Sequence, residues 1–345
     1  MRKATPLLPT SVVGSYSQPD WLINRDALAS GSPPRSRRGD LWRIESSWLS
    51  QAQNDATLLA IRDQERAGID IVTDGEMRRE SYSNHFATAL DGLDPHKTGI
   101  AISRKGTPNP VPLVVGPIRR THPVGADDIA FLRANTDRMI KATLPGPFTM
   151  SQQAEDQHYN DPAALAMAYA SAVNDEIQDL FAAGADVVQI DEPWVQARPE
   201  PAKEYAIPAI NHALRGIDGT TALHLCMGYA AMIKDRPEHY HFLEELSECT
   251  VDQISVETAQ PNLDLSVLQP IANKTIILGI INLDDMAVES EQLVASRIER
   301  ALEYIPLQNI IPAPDCGLKY IPRDIAYAKL EALVAGTRLV REKFG

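Results

Sequence analysis

The chain has 345 residues, 44% of them hydrophobic and 23% charged, with a formal net charge of −13. This is ordinary globular composition, and the acidic balance argues against a general nucleic-acid surface, which would be basic. No run of about 18 uncharged apolar residues occurs, so no membrane-spanning helix is expected.

The N-terminus, MRKATPLLPTSVVGSY, starts basic, but two prolines and a threonine break its apolar run. It reads as mature protein, not as a signal peptide. Short runs rich in Val and Ile then recur along the chain: SVVGS (11–15), DIVTDGE (70–76), ATLPGPF (142–148), DVVQIDEP (186–193), ALHLCMG (222–228), QISVET (253–258), TIILGIINL (275–283) and NIIPAPDCG (309–317). Helical patterns lie between most of them. The clearest spans 161–184, with Asp161 as N-cap, Pro162 in the first turn and Gly184 as the stop. Others are EHYHFLEELSE (238–248), ESEQLVASRIERALEYI (289–305) and the C-terminal stretch from Ile321 to Phe344.

Strands alternating with helices predict parallel βα units, and eight of them predict a single (β/α)8 TIM barrel over residues 1–345. The run VPLVVGPI (111–118) does not fit the count. It falls in a long excursion after the second strand, roughly 77–138, whose Pro, Gly and His content suits a lid or arm. The loop GSPPRSRRGD (31–40) is rich in turn formers.

In such a barrel the chemistry sits at the C-terminal ends of the strands. Here those ends carry Asp74 and Glu76, Asp191 and Glu192, His224 and Cys226, Glu257, and Asp315 and Cys316. A buried carboxylate is costly unless it is paired, hydrogen-bonded or bound to metal, so this gathering is hard to explain by packing alone. His224 and Cys226, two apart in a strand, project to one face. Taken singly, the histidine reads better as a packed core residue and the cysteine as a small buried hydrophobe. Together with Glu257 one βα unit on and Cys316 two further on, they make a set of the ligand types that zinc takes in a tetrahedron. Cys249 lies before the sixth strand, at the opposite pole, and reads as packing. Three cysteines, Cys226, Cys249 and Cys316, form no disulfide framework and suit a reducing cytoplasm.

These motifs carry a resemblance. HLCMGY resembles the H-x-C strand of the catalytic barrel of cobalamin-independent methionine synthases, ISVETAQ resembles their E-T segment, and PAPDCGLKYIPR resembles their P-D-C-G-L-K signature. PTSVVGSY, TDGEMRR and QIDEP match further segments in the same order, from residue 9 to residue 322. The resemblance implies a Zn2+ site at His224, Cys226, Glu257 and Cys316. It also implies a homocysteine pocket, with Val13, Gly14 and Ser15 along the substrate backbone and Glu76 and Asp191 on its ammonium. The implied activity is transfer of a methyl group to the homocysteine thiol, which zinc deprotonates, to give methionine. Glu257, the hardest of the four donors, would be the ligand to loosen when substrate sulfur arrives.

Two departures bear on the methyl donor. Only one barrel is present where the two-barrel enzymes have two, which leaves methyltetrahydrofolate and a methylcorrinoid such as methylcobalamin both open. Where the family carries a histidine after the seventh strand, the stretch GIINLDDMAVES has Asp284, a possible acid for the leaving group. His85, His122 and His158 are alternative proton donors, each reading more simply as a surface histidine. Arg78, Arg79, Arg119 and Arg120 are dense positives that could hold an anionic group or form a solvated face. The same zinc chemistry also admits other thiols or alkyl donors, as in epoxyalkane–coenzyme M transferases or demethylases.

Overall fold

The computed structural model describes residues 6–29, 33–81, 83–103, 106–228, 240, 242–261 and 263–345. Its strands in chain order are β1 (Ile71–Val72), β2 (Asp91–Ile102), β3 (Pro108–Arg119), β4 (Met139–Pro145), β5 (Glu155–Asp156), β6 (Val187–Asp191), β7 (Thr220–Leu225), β8 (Gln253–Glu257), β9 (Thr275–Ile281) and β10 (Ile310–Pro314). Seven of them form one parallel sheet in the order β1-β4-β6-β7-β8-β9-β10. The segment around Ser11 closes the ring. Ser11 N donates to Pro312 O at 3.0 Å, Ile71 N donates to Thr10 O at 2.9 Å, and Ser11 bridges Ile71 in parallel. This is the expected barrel, but its first stave is a single bridge, not a ladder. Pro9 has no N–H to give and Gly14 packs little, so regular pairing does not extend.

Alternation along the strands separates two cores. Ile140, Ala142 and Leu144 of β4 and Val188 and Ile190 of β6 join the large outer core under the helices. Ile71, Val187, Ala222, Ile277, Ile311 and Ala313, with Met139 against them, fill the barrel interior. Period two then sets the inward face of each strand: Lys141 and Thr143 on β4, Gln189 and Asp191 on β6, His224 on β7, Ser255 and Glu257 on β8.

The helix Pro162–Ala182 starts as expected, with the Asp161 carboxylate accepting from Ala163 N and Ala164 N, and Gly184 follows it at φ 107°. Glu291–Ala301 is capped by Ser290, and Arg323–Phe344 closes the chain. The third stave sits earlier than expected, at 139–145. Beyond it Gly146 is extended and Pro147 opens the helix Pro147–Gln152, since proline's fixed φ suits the first helical position. The helix expected over 238–248 lies partly outside the described residues. Its described end is one 3-10 turn, Glu245–Glu248, where Glu244 and Glu248 would repel one turn apart.

The excursion after β1 contains the hairpin of β2 and β3, which pair antiparallel. In β3 the apolar run at 111–118 buries Val111, Pro112, Leu113, Val114 and Ile118 and exposes Val115 and Pro117, and β5, from the loop beyond β4, adds a third strand parallel to β3. This small sheet therefore draws on more chain than 77–138. Of the described helices, none is long and apolar enough to cross a membrane.

Candidate metal centre and adjoining pocket

Three of the four expected metal ligands come together at the C-terminal mouth of the barrel. His224 lies one residue before the end of β7, Cys226 follows that strand directly, and Cys316 follows β10; all three are buried. Their ligand atoms lie within 4.8 Å of one another. Cys226 Sγ and Cys316 Sγ are 3.2 Å apart, and Cys316 Sγ is 3.7 Å from His224 Nε2. His224 Nδ1 sits 2.9 Å from Ser255 Oγ, which leaves Nε2 to face the sulfurs. That is the orientation a metal-bound imidazole takes when its other nitrogen is held by an outer partner. Two thiols and an imidazole are borderline-soft donors, the set that suits zinc.

Glu257 is fully buried at the end of β8, but its carboxylate falls outside the group of ligand atoms that lie within 4.8 Å of one another. Its Oε1 accepts from Met227 N at 2.7 Å, directly after Cys226, and its Oε2 accepts from Gln260 Nε2 at 2.9 Å. Tyr240 OH accepts from Glu257 N at 2.7 Å and donates to Leu225 O. Asp315 serves the scaffold: its carboxylate accepts from the backbone N–H groups of Thr258, Ala259 and Gln260. It thereby ties the loop after β8 to the strand end that carries Cys316. Cys226's sulfur, and then burial, hold the Cys316 thiol well above its ordinary pKa.

The expected pocket residues flank this centre. Asp191 on β6 is the register partner of His224 on β7. Burial pushes its carboxyl up to about 7, with His224 lowering it and Glu76 raising it. Glu76 is also buried, and burial raises its pKa against the pull of Arg79 and Lys319. It adopts φ 56° directly after Gly75 at φ 67°, a left-handed pair that swings the carboxylate back over the barrel. Its Oε1 accepts from Thr143 Oγ1 at 3.3 Å, while Oε2 meets no protein donor. Val13, Gly14 and Ser15 are buried beside it. A Cβ on Gly14 would lie 2.8 Å from Glu76 Oε1, so only glycine lets the backbone pass this close. Ser15 O accepts from Leu318 N, and Ser15 Oγ meets no protein partner. Buried oxygens without a protein partner on both Ser15 and Glu76 are candidates for contact with a polar ligand.

The turn carrying Glu76 is held from two sides. Gln18 Nε2 donates to the carbonyls of Glu76, Met77 and Arg79, and Lys319 Nζ donates to Arg79 O at 2.8 Å. The lysine of the DCGLK segment is thus a brace. Ser255, Thr143, Gln189 and Lys319 were not singled out by sequence; inward parity two residues before Glu257 and Asp191 was the signal available for Ser255 and Gln189.

Other expectations fare differently. Asp284 is exposed on the loop leaving β9, outside the buried cluster, where its N–H donates to Asn282 Oδ1. His122 and His158 are exposed. His85 is not a surface histidine: it is half-buried, and burial with Arg79 and Arg37 pushes its pKa down to about 4. The arginines do not form one anion patch. Arg78 pairs with Asp128 at 3.2 Å, and Arg120 pairs with Glu176 at 2.6 Å and with Asp179. Arg79 is buried, donating to Thr143 O, and only Arg119 is exposed.

Known proteins resemble this chain in sequence and fold. The family model described as "Cobalamin-independent synthase, Catalytic domain" matches residues 8–338. A methionine synthase from Saccharolobus solfataricus is 33% identical, over 98% of this chain and 96% of its own. One from Sulfolobus acidocaldarius is also 33% identical, over 98% and 93%. The solved structure of a B12-independent methionine synthase from a Shewanella species, in complex with selenomethionine, superposes with a TM-score of 0.89 at 32% identity and 98% coverage of both chains. With its fold, its buried strand-end residues and these matches in agreement, the chain belongs to the catalytic-domain family of the cobalamin-independent methionine synthases.

Proposed function

We propose that the protein is a zinc-dependent methyltransferase that methylates the thiol of homocysteine to give methionine. The observation that carries this reading is the junction of the His224, Cys226 and Cys316 trio with the two buried carboxylates Glu76 and Asp191. His224, Cys226, Cys316 and, as fourth ligand, Glu257 would hold the ion. When bound, zinc lowers the pKa of a thiol that ligates it, so that the sulfur reacts deprotonated near neutral pH.

The chain's own residues orient the acceptor. Glu76 and Asp191 would take its ammonium, which offsets the burial that raises both carboxyls. Ser15 Oγ and the backbone of Val13 and Gly14 would line its carboxylate end. Orienting thiol and methyl donor in a buried mouth removes most of the entropic barrier to an in-line transfer. A sulfonated thiol would set its anion against Glu76 and Asp191, so the pocket favours an amino-acid thiol. The selenomethionine complex of the Shewanella relative supports the same ligand class. Asp284, on the loop after β9, is our assignment for the acid that protonates the leaving group. The hairpin of β2 and β3 is the lid or arm of a single barrel. A complement of only three cysteines fits a reducing cytoplasm.

The test is a methyl-transfer assay with L-homocysteine, run in parallel with methyltetrahydrofolate and methylcobalamin. Methionine formed from either supports the reading and names the donor; none from either on zinc-loaded protein overturns it.

A further inference from the structure

Lys141 is a buried charge that the chemistry above does not use. It lies on the inward face of β4, two residues before Thr143, and is 1% exposed. Its Nζ meets no protein acceptor. Burial pushes its pKa down to about 7, and the Asp191 carboxylate pulls the other way. A lysine stem buried for packing alone would let its amine reach water at one end; this one ends inside the barrel.

Gln189 is the complement. It lies on the inward face of β6, fully buried, in register with Thr143. Its Nε2 donates to Asp191 Oδ1 at 2.8 Å, and its Oε1 meets no protein donor. Val187, two residues before Gln189, is in register with Lys141. The lysine and the glutamine are therefore diagonal neighbours on one face. One brings a buried donor without an acceptor, the other a buried acceptor without a donor. An amide can turn over, presenting oxygen where nitrogen was. Held with nitrogen toward the carboxylate and oxygen toward the amine, it cannot.

We propose that Lys141 is a positioning residue: its Nζ donates to one buried water that in turn donates to Gln189 Oε1, so that Gln189 Nε2 fixes the Asp191 carboxylate for the amine of the substrate. This rests on the reading that the pocket takes an amino-acid thiol. The lysine touches neither substrate nor metal. Its effect is selective, because it bears on the carboxylate that grips the amine and not on the sulfur.

The experiment is calorimetric binding of L-homocysteine and of its deamino analogue, mercaptobutyrate, to zinc-loaded protein. Lys141→Met keeps the stem and removes the donor. It should raise the Kd for homocysteine about tenfold, leave the Kd for mercaptobutyrate within about twofold, and leave zinc content unchanged. Gln189→Leu should show the same selectivity, and the double variant should bind homocysteine no more weakly than the weaker single. Equal weakening of both thiols, no weakening of either, or additive losses in the double variant overturns the proposal. A nuclear magnetic resonance signal from the Gln189 side-chain amide gives a separate readout. It should exchange slowly in the wild type and faster in Lys141→Met. Failure of the wild type to bind homocysteine would instead remove the methyl-transfer reading; an unchanged amide signal in Lys141→Met would still overturn the link.

Discussion

Cys226 Sγ and Cys316 Sγ stand 3.2 Å apart although 90 residues separate them in the chain. Two thiols packed for their apolar bulk would have no reason to meet an imidazole at the same point. Cys316→Ser should therefore lower zinc affinity by more than the roughly 10–100-fold typical of an outer-shell change. Metal analysis after dialysis reads this directly, and one full equivalent retained by the variant would remove Cys316 from the ligand set. Chelation of the wild type should also lower its Tm, because metal binding to the folded state is stabilising.

Ser255 acts on the same centre without touching it. Its Oγ lies 2.9 Å from His224 Nδ1 and sets which nitrogen faces the sulfurs. Ser255→Ala should fold normally and lower zinc affinity roughly 10–100-fold, measured by competition with a chromogenic chelator. A change below about twofold would mean that packing alone orients the ring.

These two residues differ in how far sequence reveals them. His224, Cys226, Glu257 and Cys316 are legible because strand ends recur once per βα unit, and chemistry in a barrel gathers there. Glu76 and Asp191 follow by the same logic. Ser255 and Gln189 look like ordinary strand polars until the register between neighbouring strands is known. The same holds for charge. Arg78, Arg79, Arg119 and Arg120 read in sequence as an anion site or a solvated face, but the tertiary fold sets Asp128 against Arg78 and Glu176 against Arg120, buries Arg79 and leaves Arg119 exposed. The first stave is readable as a strand from its valines, but only the fold shows that it joins the ring through Thr10 and Ser11 and not through a ladder.

Gly14 tests the pocket by shape. An added Cβ would fall 2.8 Å from Glu76 Oε1 and 3.1 Å from Thr143 Cγ2, so Gly14→Ala must push the Glu76 carboxylate aside. The backbone there is not left-handed, so the fold should survive. The expected outcome is a KM for homocysteine raised about tenfold or more with kcat changed much less, the pattern of lost ground-state binding. An unchanged KM would place the amino-acid pocket elsewhere.

Lys141 gives the protein a pH dependence whose sign follows from burial. Its pKa falls from 10.5 in the unfolded chain to about 7 in the fold. Below pH 7 the amine is charged in both states, and the folded state carries the full penalty of burying it. Between pH 7 and 10.5 unfolding takes up a proton, so stability contributed at this site rises with pH, by about 1.4 kcal/mol per unit at most. Above that range the amine is neutral in both states and the penalty is gone. Denaturant unfolding of the wild type and of Lys141→Met between pH 6 and 10 isolates the effect. The wild type should gain stability relative to the variant as pH rises, and a flat difference would mean that Lys141 keeps its charge through a partner in the folded state.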